Sequence, residues 1–322
     1  MVLPSLLAGG TAGAGLLGAG LLGFNAWTAA RVEAALPPQG DTLTIDGNRI
    51  QYLDAGSGPP VVLLHGLGGQ MRNFTYGLVD RLTGEFRVIV PDRPGSGHSV
   101  RAPGASARLG VQADVIAGLI GALQLDRPLL VGHSLGGALA LVIALKHPGL
   151  ARGLALISPL TQPQETVPAA FRGLAVSSKL LRWLIAWTLS TPMAMAKRDR
   201  VLDALFGPEL PPDDLALRAG FMLALRPKSF YASSSDLMAA REELPGLQAR
   251  YGNVQAPVSI LFGDGDQILD PRLHGESMVR QIPGLSYTTL AGGGHMIPLT
   301  RPDEVAAFIA RMHASLCSAA KS

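Results

Sequence analysis

The feature of this sequence that most restricts its fold is a series of short apolar runs separated by helical stretches. Such runs occur at residues 61–64, 87–90, 128–131, 153–158, 258–262 and 285–290. Strands buried on both faces read as continuous apolar runs, and parallel strands need a long, usually helical crossover between them. The alternation therefore predicts the α/β class, with a mostly parallel central sheet that carries helices on both faces. Residues 42–46 and 49–54, around Gly47-Asn48, add a predicted β-hairpin.

A long interruption in this alternation divides the chain. Between residues 159 and 255 the sequence is helical, contains several prolines and lacks a convincing strand, after which the strand and helix pattern resumes. We predict a helical cap over residues 159–255, inserted into one sheet domain formed by residues 41–158 and 256–322. Residues 31–40, which include Pro37-Pro38, are predicted to link this domain to the N-terminal segment.

The N-terminal segment, residues 1–30, carries no charged side chain. As one helix it would be about 40 Å long, enough to cross a hydrocarbon core of about 30 Å. Small residues recur at Thr11, Gly15, Ala19 and Gly23, which favours close helix packing in a bilayer. We therefore predict an N-terminal hydrophobic helix that associates the protein with a membrane as a single anchor.

Two other interpretations of this segment stay open. A cleaved signal peptide would make the protein secreted or periplasmic, although the positively charged n-region of such peptides is missing. The second interpretation is a glycine- and alanine-rich helix packed on the soluble domain, because many residues of the segment are only weakly hydrophobic. Arg31 is the first charge after the segment, and a single charge is too few to assign the side of the membrane.

Charge and cysteine content argue against several classes of function. The net charge is +3, but lysines and arginines are scattered, and only Lys197, Arg198 and Arg200 form a small cluster. No basic stripe carries interleaved aromatic residues, so we expect no nucleic-acid partner. Cys317 is the single cysteine, which excludes an intrachain disulfide. We expect no cofactor and no metal.

The pentapeptide Gly132-His-Ser-Leu-Gly136 lies between a predicted strand and a predicted helix. This spacing is typical of a nucleophile held on a sharp turn, where flanking glycines avoid collisions with the backbone. We predict Ser134 as the nucleophile and the Leu135 N–H as one donor to a developing oxyanion, because the helix N-terminus attracts negative charge. A second donor should come from the loop after an earlier strand. Residues 65–69 occupy that place, and the Leu67 N–H is the best candidate.

A serine hydroxyl needs a general base, and that base needs an acid that orients it. Of the seven histidines, His295 is favoured because it follows a predicted strand and three glycines, at the sheet edge where ligand-facing residues gather. His274 is assigned instead to a helical stretch near the surface. For the acid, Asp266 lies just beyond a turn and can point back to the site. Asp264 can shape that turn, and Asp270 can cap the following helix, so both stay open as alternatives.

Five segments in this order resemble the landmarks of the α/β-hydrolase fold superfamily, serine-nucleophile branch. They are residues 65–69, 91–99, 132–137, 263–266 and 294–296. The resemblance spans about residues 41–314, apart from most of the cap. It implies a catalytic triad of Ser134, Asp266 and His295, and an oxyanion hole formed by the Leu67 and Leu135 amides. It also implies that the segment around Asp92 is a structural loop.

The resemblance implies an esterase- or lipase-like enzyme that hydrolyses a carboxylic ester through an acyl-enzyme. Haloalkane dehalogenases and epoxide hydrolases use an aspartate at the position of Ser134, so this serine argues against both classes. Carbon–carbon bond hydrolases and cofactor-free haloperoxidases share the serine triad and stay open as alternatives. A non-catalytic binding protein with this fold is expected to have lost a triad residue, and none is lost here. Apolar side chains over residues 180–196, Trp183 among them, favour an apolar acyl group, although they would equally suit a helix packed on the sheet domain.

Overall fold

A sheet of eight strands crosses the centre of the computed structural model, which describes residues 3–319 and the side chains of residues 15–318. Within that range β1 to β8 are Asp41–Ile45, Asn48–Ala55, Pro60–Leu64, Arg87–Pro91, Leu129–His133, Gly153–Ile157, Val258–Gly263 and Ser286–Leu290. They lie side by side in the order β1-β2-β4-β3-β5-β6-β7-β8. β2 pairs antiparallel with β1 and β4, and the other pairs are parallel. The predicted α/β class and mostly parallel sheet are confirmed.

Helices cover both faces of this sheet. In chain order, the described helices α1 to α12 are Leu3–Ala35, Arg72–Thr75, Leu78–Leu82, Leu109–Ala122, Leu135–Lys146, Lys179–Thr188, Ser190–Ala196, Arg198–Phe206, Pro227–Gln248, Pro271–His274, Ile297–Thr300 and Pro302–Ala319. Short 3-10 helices occur at Ala169–Leu174, Phe221–Leu225, Tyr251–Asn253 and Glu276–Arg280.

Successive residues of β3 contribute to two separate cores, which explains why this strand is apolar throughout. Val62 and Leu64 pack with residues of α4 and α5 in one core, while Val61 and Leu63 pack with residues of α3 and α12 in the other. All four side chains are inaccessible to solvent. Side chains alternate between the faces of a strand, so a strand covered on both faces has no position for an unpaired polar residue.

The segment between β6 and β7 contains α6 to α9 and no strand among its residues, all of which the structure describes. We call residues 159–255 of this segment the cap, and these boundaries stay a prediction. α9 begins at Pro227, in the first helical position, where a missing N–H has no cost. The last turns of α9 pack against the sheet domain, where Leu244 and Leu247 join the core that contains α4 and α5.

The C-terminal half of α1 packs against the cap. Asn25 is fully buried there, and its amide donates to the Thr188 carbonyl at 2.7 Å. The Thr191 hydroxyl donates to the Asn25 side-chain oxygen. Further along the helix, Val32 forms a small buried cluster with Leu223. From Asn25 onward, α1 is therefore a helix packed on the protein.

The segment predicted as a linker, residues 31–40, is partly helical. α1 continues through it to Ala35 and ends just before Pro37-Pro38, where proline disfavours further helix. Val32 and Leu36 are 0% and 3% exposed, so burial against the cap keeps this stretch ordered as a helix.

The predicted membrane anchor over residues 1–30 is not supported. Within the described residues, no helix is both long enough and apolar enough to cross a bilayer. The part of α1 whose side chains are described begins at Gly15 and includes Asn25 and Arg31, which limit its apolar length. Residues 1–14 of the predicted anchor, with Thr11 of the small-residue pattern, have side chains outside the described range.

His274 ends α10 and is fully buried, in contrast to the surface position expected from the sequence. Its Nδ1 accepts the amide hydrogens of Thr161 and Gln162, both at 3.2 Å, where the chain enters the cap. Burial lowers the pKa of His274 from 6.5 to about 4, because a charged imidazole would lose its hydration there. A protonated Nδ1 would also be unable to accept these two hydrogen bonds.

We predict that His274 makes the protein less stable at acidic pH. Its folded pKa of about 4 lies below the ordinary 6.5, so between these values the unfolded chain binds the proton more readily. The free energy of unfolding should therefore rise as pH increases through this window and fall as pH decreases. His274→Gln keeps an acceptor without a titrating ring and should make this slope shallower in urea unfolding. Equal slopes for the two proteins would contradict the prediction.

Candidate active site

Ser134 lies in a sharp turn between β5 and α5, where its backbone has φ 54° and ψ −120°. A positive φ is unfavourable for a residue with a side chain, and the surrounding packing must sustain it. A Cβ on Gly132 would lie 2.4 Å from the Gly136 oxygen, and a Cβ on Gly136 would lie 2.0 Å from the Leu64 oxygen. Glycine is therefore required on both sides of the turn.

The structure brings Ser134, His295 and Asp266 together at the carboxyl ends of their strands. His295 Nε2 lies 3.0 Å from Ser134 Oγ, and His295 Nδ1 lies 2.7 Å from Asp266 Oδ2. When the Nδ1–H donates to the carboxylate, the Nε2 lone pair faces the hydroxyl and can accept its proton. The side chains of His295 and Asp266 are 2% and 0% exposed, which shields both contacts from water.

Asp266 is an ionised acid despite its burial. Burial alone would raise the pKa of Asp266, but the nearby His295 ring lowers it, with help from two backbone amides. These are the Ile268 and Leu269 N–H groups, which donate to Asp266 Oδ1 at 2.8 and 3.0 Å. The net pKa lies below the ordinary value, so the carboxylate can stabilise a positive charge on His295.

The two competing aspartates stabilise local structure. Asp264 is exposed, and its Oδ1 accepts the Gly292 amide hydrogen at 2.7 Å. Asp270 Oδ1 accepts the Arg272 amide hydrogen at 2.9 Å and caps α10. Of the three aspartates left open by the sequence, Asp266 is thus the one in contact with the His295 ring.

His133 supports the loop that carries His295. Its Nε2–H donates to the His295 carbonyl oxygen at 2.9 Å, and the two rings lie with centroids 5.0 Å apart. Burial and, to a lesser extent, the neighbouring His295 lower the pKa of His133 to about 3. His133 is therefore neutral at physiological pH and adds no positive charge that would compete with a proton on His295.

Two backbone amides lie next to Ser134 and are available to bind an anion. Leu135 is the first residue of α5, so its N–H has no acceptor within the helix. Leu67 belongs to the loop after β3, and this loop lies against Ser134, since a Cβ on Gly66 would be 2.9 Å from the Ser134 Cβ. In the part of the chain that the structure describes, neither amide has a hydrogen-bond partner.

A buried arginine that the sequence did not single out holds this loop. Arg93 is inaccessible to solvent, and its guanidinium donates to the His65 and Gly66 carbonyl oxygens at 3.0 and 2.9 Å. The same guanidinium donates to Asp236 Oδ2 and Gln112 Oε1, both at 2.8 Å. Asp236 lies on α9, so Arg93 connects the loop beside Ser134 to the cap.

The sequence contains a partial signal for this network. Arg93 follows β4 at the same sheet edge as the other site residues, and Asp236 is a lone charge after a run of small residues, Ala232-Ser-Ser-Ser.

His65 accepts the Arg93 amide hydrogen at its Nε2. Burial, with the Arg93 charge, holds the pKa of His65 well below its ordinary value, so this ring stays neutral.

A cavity of about 470 Å³ opens beside Ser134 and His295. This volume falls in the range of small-molecule sites, roughly 300–1,000 Å³. The larger apolar side chains that the cap contributes to its wall are Phe171, Leu174, Met193, Val201, Leu205, Phe221 and Phe230. Among the described residues, no three His, Cys, Asp or Glu side chains are grouped so as to hold a metal ion.

The apolar stripe predicted over residues 180–196 lies mostly outside this cavity. Trp183 is 50% exposed, and α6 buries instead the face that carries Arg182 and Ala186. From this stretch the cavity is lined by Ser190, Met193 and Ala194. The 3-10 helices and α8 provide most of the apolar wall, because the packing of α6 turns its tryptophan side away from Ser134.

The chain is similar to known proteins along most of its length. A family model described as "alpha/beta hydrolase fold" matches residues 59–302. An uncharacterized protein of Mycobacterium tuberculosis is 28% identical over 271 residues, which cover 82% of this chain and 78% of the relative. A thermophilic esterase from Thermogutta terrifontis superposes with a TM-score of 0.72 at 25% identity, covering 86% of this chain and 99% of the esterase. A membrane phospholipase A superposes with a TM-score of 0.68 at 25% identity, covering 98% of this chain and 97% of the phospholipase.

We predict that removing the Asp236 charge strongly destabilises the protein, because it leaves the buried Arg93 charge uncompensated. Asp236→Asn removes the charge but keeps the shape, so the guanidinium groups of Arg93 and Arg101 both lose their carboxylate partner. The free energy of unfolding should fall by about 3–5 kcal/mol, measured by urea unfolding. Asp114→Asn is the matched control, because Asp114 pairs with Lys146 at the surface, and it should lower the free energy by less than about 1 kcal/mol. Similar losses in the two variants would contradict the prediction.

Proposed function

Because the chain belongs to the α/β-hydrolase fold family, we propose that it is a serine hydrolase that cleaves carboxylic esters. The observation that carries this proposal is the line of contacts from Asp266 through His295 to Ser134 Oγ, at 2.7 and 3.0 Å. A binding protein descended from such an enzyme is expected to lack one of these side chains, and all three are present. Serine at the nucleophile position favours acyl transfer over dehalogenation or epoxide opening.

Acylation of Ser134 is the first step of the proposed reaction. Ser134 Oγ attacks the ester carbonyl carbon while His295 Nε2 takes the hydroxyl proton, and Asp266 stabilises the imidazolium that results. The carbonyl oxygen becomes an oxyanion that accepts hydrogen bonds from the Leu67 and Leu135 amides. The carbon–oxygen bond to the alcohol then breaks, and His295 gives its proton to the departing alcohol oxygen.

Deacylation repeats these roles with water as the nucleophile. His295 takes a proton from a water molecule, whose oxygen attacks the acyl carbonyl carbon. The same two amides bind the second oxyanion. Collapse of this intermediate breaks the bond to Ser134 Oγ, which recovers its proton from His295. The products are a carboxylic acid and an alcohol, and the enzyme returns to its starting state.

We propose an apolar acyl group as the part of the substrate held in the cavity. The cap wall of the cavity is rich in phenylalanine, leucine and methionine, and the cavity opens directly beside Ser134. Similarity to an esterase and to a membrane phospholipase A supports an acyl ester. The alignment with the phospholipase covers 98% of this chain, so it extends into α1 as well as the hydrolase core.

We predict that a fluorophosphonate probe labels the folded protein at Ser134. Ser134→Ala should abolish labelling and lower kcat for ester hydrolysis by about 10⁴-fold or more, since nucleophile, base and acid act as a unit. Asp266→Asn should lower kcat by a similar order, because it favours the wrong tautomer of His295. The matched control Asp264→Asn should leave kcat within about twofold, because Asp264 only binds the Gly292 amide.

Absence of labelling in folded wild-type protein would contradict the hydrolase proposal. Equal losses in Asp264→Asn and Asp266→Asn would contradict the assigned acid. The protein could also turn over substrates of carbon–carbon bond hydrolases or haloperoxidases and leave esters unchanged. That result would contradict ester hydrolysis and assign the triad to one of those two reactions.

We predict that kcat/KM rises with acyl-chain length in a series of p-nitrophenyl esters. Each methylene transferred from water to the cavity is worth about 0.8 kcal/mol, or about a fourfold gain, until the cavity is filled. A profile that is flat or favours acetyl esters would contradict the apolar acyl site. Such a profile would leave the roles of Ser134 and His295 unaffected.

A further inference from the structure

Three basic side chains line the cavity beside Ser134, and none of its lining residues is acidic. Lys197 follows α7, and Arg200 lies in the first turn of α8. Arg172 belongs to the 3-10 helix Ala169–Leu174, against which α8 packs. All three residues are solvent-exposed as well as cavity-lining, so they lie where the cavity opens to solvent.

These three cations are unpaired within the part of the chain that the structure describes. Among the described residues, no carboxylate lies within 4.0 Å of them, and none of their side chains donates a hydrogen bond. Asp199, the acidic residue between Lys197 and Arg200, faces Arg198 at 3.9 Å, and its side chain is 89% exposed. The buried Arg93, in contrast, donates to the His65 carbonyl oxygen and to the Asp236 carboxylate.

Unpaired cations at the mouth of an apolar cavity favour one class of substrate. Low-dielectric walls strengthen their attraction for an anion, and a guanidinium matches the oxygens of a phosphate or a carboxylate. An apolar acyl chain in the cavity would be joined, through the ester at Ser134, to an alcohol part that extends toward the mouth. A negative charge on that alcohol part would lie near Lys197 and Arg200.

Building on the proposed ester hydrolysis, we propose that Arg172, Lys197 and Arg200 form a subsite for an anionic group on the alcohol part of the substrate. The enzyme then selects anionic amphiphilic esters, carrying a phosphate or a carboxylate, over neutral esters of the same acyl chain. The selection acts on substrate binding and therefore on KM, because the charges lie away from the reacting carbonyl.

Three esters with one acyl chain test this subsite in the full-length protein. They are a neutral monoacylglycerol, the corresponding acylglycerol phosphate and the corresponding acyl glycerate. For wild type we expect kcat/KM about tenfold higher for the anionic esters, equivalent to about 1.4 kcal/mol, with the difference shrinking as salt is raised. The two anionic esters distinguish a phosphate from a carboxylate as the better ligand.

The double variant Lys197→Glu/Arg200→Glu should remove this preference. KM for the anionic esters should rise about tenfold or more, while kcat/KM for the neutral ester stays within about twofold. Lys179→Glu/Arg198→Glu is the matched control, because it makes the same charge change on α6 and α8 at residues that do not line the cavity. The milder pair Lys197→Gln/Arg200→Gln repeats the test if charge reversal disturbs folding.

Equal kcat/KM for neutral and anionic esters in wild type would overturn the subsite. Equal loss of preference in the matched control would overturn it too, since only the general field of the protein would then be responsible. Fluorophosphonate labelling of Ser134 and hydrolysis of the neutral ester are measured in every variant. If labelling and neutral-ester hydrolysis persist while the preference for anionic esters is absent, the subsite is refuted and the hydrolase proposal stands. If wild type shows neither labelling nor hydrolysis, ester hydrolysis itself is refuted.

Discussion

One buried guanidinium ties the loop beside the proposed nucleophile to the sheet domain and to the cap. Arg93 is inaccessible to solvent, so its charge is sustained only by the carboxylate and the carbonyl oxygens around it. Two of those oxygens belong to His65 and Gly66, directly before the proposed oxyanion donor Leu67. The carboxylate of Asp236 belongs to α9. The position of the loop and the position of the cap over it therefore depend on the same ion pair.

The parallel sheet explains how residues distant in the sequence come together in one site. β5, β7 and β8 end at a common edge, and Ser134, Asp266 and His295 follow these three strands. The strained backbone at Ser134 lifts its hydroxyl toward the His295 ring, and two glycines make that conformation possible. His133, which burial keeps neutral, donates a hydrogen bond to the His295 carbonyl oxygen and adds no charge to the site.

The N-terminal helix shares its contacts with the cavity wall. Asn25 binds the backbone at Thr188, where α6 gives way to α7, and α7 lines the cavity. Glu33 lies 3.5 Å from Arg226, directly after the 3-10 helix whose Phe221 also lines the cavity. α1 therefore contacts the cap segments that line the cavity, and the helix belongs structurally with the cap.

Local sequence chemistry was sufficient to predict the α/β sheet and the residues at its strand ends. Apolar runs, the glycines around Ser134 and the loop position of His295 depend on neighbours along the chain, so periodicity and turn chemistry reveal them. Asp266 was ranked above Asp264 and Asp270 by the same reasoning, and it is the aspartate that contacts His295.

Tertiary structure alone decided which residues became partners. Arg93 and Asp236 are 143 residues apart, the buried state of His274 depends on the entry to the cap, and the packing of α6 turned Trp183 toward solvent. Hydrophobic pattern identifies an apolar helix face, but the surface that covers this face is set by how helices pack in three dimensions. For the same reason the sequence predicted a helix over residues 1–30, and only the structure revealed that the helix continues to Ala35 and that its C-terminal half packs against the cap.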